Sequence, residues 1–188
     1  MIDAPLYIAN IEATLRAIVL ANKVAKMIDK KRANAIAVSE DADGPINYQY
    51  EIISPITEVS RLFNLYAPAL ARKHYNQITE VISTKLEDNL IEARSRIARV
   101  VFPGLSAKQV NAIVTKPVLT QRVMRQLLRG SSPSATASFL AITSNPQERR
   151  RVIDEYFRRL RNVAYTSVRT AMAMVYAQVN GQVYDSIP

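Results

Sequence analysis

The chain has 188 residues, of which 48% are hydrophobic, only 4 are Gly and none is Cys. It is long enough to bury a core of its own, and the lack of Cys excludes disulfides, thiolate metal sites and Cys nucleophiles. The net charge of +9 comes from the residues after 93, where 15 Lys and Arg stand against 4 Asp and Glu and 13 of the cations are Arg. Because the planar guanidinium binds phosphate and carboxylate well, we expect this half of the chain to lie near anions.

The scarcity of Gly and the helical spacing of apolar residues predict an all-α fold. A first helix is expected to begin with Asp3 as its N-cap and Pro5 in its first turn. Because Arg16 interrupts the most apolar window, we expect no membrane span. The acidic, turn-rich segment 39–45 ends this helix. The next segment, "INYQYEII" (46–53), alternates apolar and polar residues, and with no second such run to pair with it is predicted to be an extended linker.

A second long helix is predicted to begin with Ser54 as its cap and Pro55 as its first residue. Its apolar residues recur every three or four positions as far as Val101. Pro68 lies inside this pattern and is expected to kink the helix or to split it in two.

The segment "FPGLS" (102–106) combines Pro, Gly and a helix-starting Ser106, with Gln109 three residues later as in a capping box. It is the clearest boundary in the sequence. We therefore predict an elongated bundle of long helices in two helical lobes, residues 1–102 and the basic residues 103–188.

The second predicted lobe contains several helices with recognisable ends. Three shorter ones are expected at about 107–115, 117–129 and 135–142. The last helix has the clearest start, with Asn145 as N-cap, Pro146 at the first position and Glu148 in the first turn. We expect it to end near Asn180, with Gly181 as the residue that stops it.

Two helices of this lobe carry clusters of Arg that are candidates for binding nucleic acid or another anionic partner. One cluster lies on a single face of the helix 117–129, and the other lies at the front of the last helix. The candidate residues are Arg122, Arg125, Arg129, Arg149, Arg150, Arg151, Arg158 and Arg159.

Two interpretations of these clusters remain open. Several cations on one face release counterions from a nucleic acid, which favours a phosphate-binding surface. No DNA-reading motif accompanies the charge, so the contact would be to the backbone and independent of base sequence. The other interpretation is a solvated face with pairs four residues apart, Arg150 with Asp154 and Arg151 with Glu155. The anionic partner can equally be an acidic protein surface.

The sequence contains no pattern of residues that predicts catalysis. His74 is the only His, has no acidic companions at metal-ligand spacing, and is expected to be structural or exposed. The four Gly residues stand far apart, so no phosphate loop is present. We predict a protein that is not an enzyme and that uses no cofactor or metal.

The last helix also contains the pair Arg169 and Thr170 within an apolar pattern. A stripe predicted to be core runs along one face, Val168, Met172, Val175, Val179 and Val183. Arg169 lies on another face, where its guanidinium can stack on Tyr165 or Tyr176. It is either a boundary residue with an exposed head or a buried cation that needs an acceptor from another segment.

Two segments carry a resemblance to a known family: "VNAIVTKPVLTQRVMRQLL" (110–128) and "AYTSVRTAMAMVYAQVNGQVY" (164–184). They resemble the minor head proteins of tailed phages, the head-morphogenesis family typified by the minor head protein of phage Mu. Members have a helical lead-in and a helix with an Arg-Thr pair, here Arg169 and Thr170, followed about ten positions later by an Asn, here Asn180. Members usually continue into a small β-containing segment, whereas the last residue here is Pro188.

The resemblance implies a virion component near the portal, carried inside the head and released with the DNA on ejection. Arg169, Thr170 and Asn180 would then organise the helical core. We therefore expect a structural phage protein that assembles in several copies and contacts DNA or the portal through Arg-rich helices, located in the virion and in the host cytoplasm during assembly. The alternative is a cytoplasmic helical protein that binds nucleic acid without sequence preference.

Overall fold

A computed structural model of the chain describes residues 4–41, 46–89, 104–115 and 133–186. These residues form five α-helices and no strand, so the predicted all-α fold is confirmed. The helices are α1 (Ala4–Glu40), α2 (Gln49–Asn89), α3 (Ala107–Thr115), α4 (Pro133–Ile142) and α5 (Pro146–Asp185). The helix predicted at 117–129, with Arg122, Arg125 and Arg129, lies outside the described residues.

Helix α1 begins at Ala4, so Pro5 occupies its first turn as predicted, where the missing N–H leaves no hydrogen bond unmade. Its buried face begins with small residues four positions apart, Ala9, Ala13, Ala17 and Ala21. Such a row of Ala lets neighbouring helices approach closely.

Within the described residues, α1 is the one helix that is long and apolar enough to cross a membrane, judged by length and composition alone. A core helix of a soluble protein meets the same criterion.

The extended linker predicted for residues 46–53 is wrong, because α2 already begins at Gln49. The Oδ1 atom of Asn47 accepts a hydrogen bond from the backbone N–H of Gln49 at 3.0 Å, as an N-terminal capping residue does. Tyr48 and Ile52 are buried and Tyr50 is 68% exposed, which is the pattern of a helix and not of an alternating strand.

Pro55 and Pro68 both lie inside α2, so the predicted start at Ser54 is wrong and Pro68 does not split the helix. An internal Pro removes one N–H and crowds the carbonyl four residues earlier, which destabilises a helix locally. The buried face continues through Pro68 without a break, since Phe63, Ala67 and Ala71 are all buried. Burial of this face therefore outweighs the local cost of Pro.

The capping residues predicted for the starts of α3 and α5 form the expected hydrogen bonds. The backbone N–H of Ser106 donates to Gln109 Oε1 at 2.8 Å, and the N–H of Gln109 donates to Ser106 Oγ at 3.2 Å, which completes the capping box. Asn145 Oδ1 accepts hydrogen bonds from the N–H groups of Gln147 and Glu148 at 2.9 and 3.3 Å. Asn145 is thus the N-cap of α5, as predicted.

The end predicted for the last helix is wrong, because α5 continues past Gly181 to Asp185. The predicted core stripe of α5 explains why. Val175, Val179 and Val183 are fully buried, so the helix must continue to Val183 to bury the last of them. Tertiary packing has overridden the tendency of Gly to end a helix.

The chain divides into two compact units, and each long helix contributes to both. Unit 1 comprises Met1–Ile18, Asn64–Val118 and Thr170–Pro188, and unit 2 comprises Val19–Phe63 and Leu119–Arg169. The lobes predicted from the sequence, 1–102 and 103–188, are not confirmed by this division. Each unit has its own buried apolar side chains. In unit 2 the largest fully buried ones are Tyr48, Phe63, Phe157, Leu20, Ile28, Ile52, Leu140, Ile153 and Leu160.

Candidate anion-binding site

Positive charge is concentrated in unit 2 of the described structure. Its described residues include thirteen Lys and Arg against eight Asp and Glu, whereas those of unit 1 include five of each. The excess arises because unit 2 contains both the front of α5, rich in Arg, and the segment of α1 that carries Lys23, Lys26, Lys30, Lys31 and Arg32. An anionic partner is therefore attracted to unit 2 more than to unit 1.

A cleft of about 420 Å³ lies between α1 and α5 in unit 2. Charged side chains from both helices line it. They are Asp29, Arg32, Arg151, Asp154, Glu155, Arg158 and Arg161. The α5 residues among them share a face because they recur every three or four positions.

Ion pairs across this cleft join α1 to α5. Arg32 Nε lies 3.3 Å from Asp154 Oδ1, and Arg161 Nε lies 3.2 Å from Asp29 Oδ2. All four side chains are between 44% and 50% exposed. Pairs this exposed are screened by water and salt, so each stabilises the fold by at most about 1 kcal/mol.

The pairs that we predicted within α5 are not formed among the described residues. Arg150 pairs with Glu40 of α1 at 2.9 Å, and Asp154 pairs with Arg32 instead. Glu155 pairs with Arg159, four residues later. Asp154 and Glu155 therefore pair with different cations from those that the sequence pattern predicted.

Arg151 and Arg158 are the cations of the cleft that have no acidic partner among the described residues. Both are exposed, and both line the cleft. They lie seven residues apart on α5, which places their Cα atoms about 10.5 Å apart along one helix face. Two guanidinium groups in one cleft, each free to form a bidentate bond, can hold phosphate groups.

The other candidate Arg residues of α5 are less available. Arg149 is only 7% exposed, and its guanidinium donates to the Ser144 carbonyl at 3.4 Å. Arg149 is therefore removed from the predicted contact surface. Arg150 and Arg159 are exposed but carry ion pairs, so a partner must compete with Glu40 and Glu155 for them.

Arg169 and Thr170 are both exposed. The guanidinium carbon of Arg169 lies 5.7 Å from the centre of the Tyr165 ring, which is the stacking predicted for it and is within cation–π range. This position matches the boundary interpretation of Arg169 and not the buried one. An exposed contact of this kind stabilises by about 0.5–1 kcal/mol.

Asn180, in contrast, is half-buried and belongs to a polar network of unit 1 that also contains the buried His74. Its Oδ1 lies 2.8 Å from His74 Nε2, and its Nδ2 donates to Asn10 Oδ1 at 3.2 Å. His74 is fully buried and packs edge-on against the ring of Tyr176, with centroids 4.8 Å apart. With the Asn180 amide in this orientation, His74 carries its proton on Nε2.

Burial lowers the pKa of His74 below its ordinary value of 6.5. The hydrogen bond that His74 donates to Asn180 opposes this shift, and the positive charge of nearby Arg16 adds to it. The Nδ1 atom is buried and has no hydrogen-bond partner, so a second proton there would be unsatisfied. His74 therefore stays neutral at physiological pH and has a structural role in this network.

A second polar layer of unit 1 joins α1 to α2. Arg16 Nη2 donates to Gln77 Oε1 at 3.1 Å, and Gln77 Nε2 donates to Glu12 Oε2 at 2.6 Å. Asn10, Glu12 and Gln77 were not predicted from the sequence as partners in these networks. Their only signal in the sequence was a polar residue at the edge of an apolar stripe, which does not identify what it contacts.

Among the described residues, no group of three or more His, Asp or Glu is arranged to hold a metal ion. No protein-family model, curated protein or solved structure matches the chain.

Proposed function

We propose that this chain is a helical structural protein that binds the phosphate backbone of DNA through unit 2 and acts in several copies as an internal or portal-associated component of a phage head. One observation carries the DNA part of this proposal. Arg151 and Arg158 lie in one cleft of a positively charged unit, exposed and without acidic partners among the described residues.

Backbone binding is the contact that this arrangement favours on physical grounds. Each phosphate neutralised by a Lys or Arg releases condensed counterions, which is favourable and depends steeply on salt. A guanidinium also forms two parallel hydrogen bonds to a phosphate, which the flexible ammonium of Lys cannot do. Such contacts orient the protein on DNA without reading its sequence.

The resemblance of segments 110–128 and 164–184 to the minor head proteins of tailed phages supports the virion part of the proposal. An all-α chain of long helices fits a structural component of a head. The competing function is a cytoplasmic protein that binds nucleic acid without sequence preference, and the charge of unit 2 favours it equally.

The DNA part is tested by measuring binding to a fluorescent duplex at several salt concentrations. We expect the logarithm of the binding constant to fall linearly with the logarithm of salt concentration, with a slope of about −0.9 for each phosphate contacted. The double variant Arg151→Glu/Arg158→Glu is expected to weaken binding at least tenfold and to flatten this slope by about two units.

The double variant Lys73→Glu/Lys108→Glu is the matched control. It changes the net charge by the same amount, but both residues are exposed and lie in unit 1. We expect it to bind DNA within about threefold of the parent, as distant surface charges are screened by salt. Equal weakening by both double variants would show that binding follows net charge alone and would overturn the proposed site.

The virion and cytoplasmic functions are separated by the mass of the protein in solution, measured by light scattering coupled to size exclusion. A defined oligomer without DNA supports the structural function. A monomer that changes mass only when DNA is added supports the cytoplasmic binder instead.

A further inference from the structure

The start of α1 exposes a row of large apolar side chains on unit 1. Tyr7, Ile8, Ile11 and Leu15 are 57%, 54%, 41% and 55% exposed. We call these four residues the α1 ridge. The spacing from Tyr7 to Ile11 to Leu15 is four residues, so they form a continuous row along one side of the helix. Single exposed apolar residues are common, but a contiguous row of this kind marks an interaction site.

The α1 ridge is also free of charge. The charged residues of α1 within unit 1 are Glu12 and Arg16, and both hydrogen-bond to Gln77 of α2. Arg16 is only 14% exposed. On one border of the ridge the polar residues Asn10 and Thr14 are neutral, and Thr14 Oγ1 donates to the Asn10 carbonyl of its own helix. The other border carries Glu12, whose side chain is 47% exposed.

We propose that the α1 ridge is a self-association surface that binds the α1 ridge of a second copy of this chain. This inference rests on the multi-copy part of the proposed function and is independent of its DNA part. A row of residues four apart packs into the groove beside an identical row on another helix, which is the commonest class of helix packing. A two-fold contact of this kind uses the same patch on both copies.

The distribution of charge favours a second copy of the chain over an anionic lipid surface as the partner of the α1 ridge. Two copies of a chain with net charge +9 repel each other, and the repulsion is smallest where the facing surfaces are neutral. The described residues of unit 1 include equal numbers of basic and acidic residues. The four residues of the α1 ridge are all uncharged. A helix that lies on an anionic lipid surface carries Lys or Arg along the border of its apolar face, whereas the borders of the α1 ridge carry Asn10, Thr14 and the acidic Glu12.

The size of the α1 ridge sets the strength of the contact. Four half-exposed side chains supply a few hundred Å², which is less than the roughly 800 Å² per partner of a standard interface. We therefore expect a dimer that forms in the micromolar range and dissociates on dilution, a strength suited to a building block that assembles at high local concentration.

The test is sedimentation of the parent protein and of two variants over a hundredfold range of concentration. Leu15→Gln is expected to raise the dissociation constant at least tenfold. Leu65→Gln is the matched control, because Leu65 is 58% exposed, lies on α2 of the same unit and undergoes the same substitution. It should leave the dissociation constant unchanged. Circular dichroism checks that both variants keep their helices.

A second measurement uses the absence of Cys from the chain. Ile11→Cys introduces a single thiol at the centre of the α1 ridge, and under mild oxidation we expect it to give a covalent dimer. Leu65→Cys under the same conditions should stay monomeric.

Three outcomes would overturn the proposal. The first is a parent protein that remains monomeric at every concentration. The second is an equal loss of association in Leu15→Gln and Leu65→Gln. The third is a monomer that binds vesicles of neutral or anionic lipid and loses that binding in Leu15→Gln, which would assign the ridge to a membrane. A failure of DNA binding alone leaves the result of this experiment unaffected, since no DNA is present.

Discussion

His74 shows how a single buried residue can make stability depend on pH. It is the only His in the sequence, it is fully buried, and its neutral form is the one that fits the network with Asn180 and Tyr176. Burial, reinforced by the positive charge of Arg16, holds its pKa below 6.5 in the folded state, despite the opposing hydrogen bond to Asn180. The unfolded chain therefore binds a proton at His74 at a higher pH than the folded chain does.

The first prediction is that the free energy of unfolding falls between pH 7.5 and pH 5.5. The contribution of His74 is fully present above pH 6.5 and is lost as the pH falls from there toward the lowered pKa. One group can remove at most about 1.4 kcal/mol over one pH unit. Urea unfolding at both pH values measures this loss, and Glu58 does not interfere, because its pKa is lowered from 4.5 chiefly by its hydrogen bond from Arg61.

The control is His74→Gln, which keeps a hydrogen-bonding side chain but cannot take up a proton in this range. It is expected to be less stable at pH 7.5 than the parent and to show little change on going to pH 5.5. If the parent loses no stability over this interval, or if NMR finds that the ring of His74 titrates at its ordinary pKa in the folded protein, this account of the residue is wrong.

At the scale of the helices, sequence signals located the starts of α3 and α5 but neither the start of α2 nor the end of α5. Ser106 with Gln109, and Asn145 with Pro146, predicted the starts of α3 and α5 correctly, because a capping residue acts on backbone groups two or three positions away. The end of α5 and the continuation of α2 through Pro68 depend on side chains that are distant in sequence. Local patterns cannot reveal how much apolar surface those distant residues bury.

Gly181 gives the second prediction, since it lies inside α5 and no longer has a helix-ending role. A Cβ atom added there would meet nothing within 4 Å. Gly181→Ala is expected to raise the free energy of unfolding by about 0.5–1 kcal/mol, because Ala loses less backbone freedom on folding. Thermal or urea unfolding measures the gain. A loss of stability would indicate that the helix does not pass through Gly181 in solution.

The N-cap of α5 gives the third prediction. Asn145→Ala leaves the N–H groups of Gln147 and Glu148 without their side-chain acceptor, and is expected to lower the free energy of unfolding by about 1 kcal/mol. Asn145→Asp is the matching control, because a carboxylate accepts the same hydrogen bonds and favours the positive end of the helix. It should be at least as stable as the parent when measured in the same urea titration.

At the scale of the whole molecule, the distribution of charge was only partly readable from the sequence. The count along the chain showed that the excess of cations lies after residue 93, and seven of these cations are Arg residues of α5. The count could not show that Lys26 and Lys30 of α1 belong to the same unit as the front of α5, or that Arg150 pairs with Glu40. Both facts depend on the fold, which brings together segments more than a hundred residues apart.

The last prediction follows if both proposals hold, because two copies joined through the α1 ridge would present two copies of unit 2 to one DNA molecule. Once one copy is bound, the next binds at a high effective concentration, which raises the apparent affinity by about a hundredfold or more when geometry allows both contacts. Leu15→Gln should therefore weaken binding to a long duplex and leave binding to a duplex that accommodates a single copy unchanged. Arg151→Glu/Arg158→Glu should weaken both. Titration of short and long duplexes with each variant separates these effects, and equal weakening on both duplexes by Leu15→Gln would show that the α1 ridge contacts DNA itself.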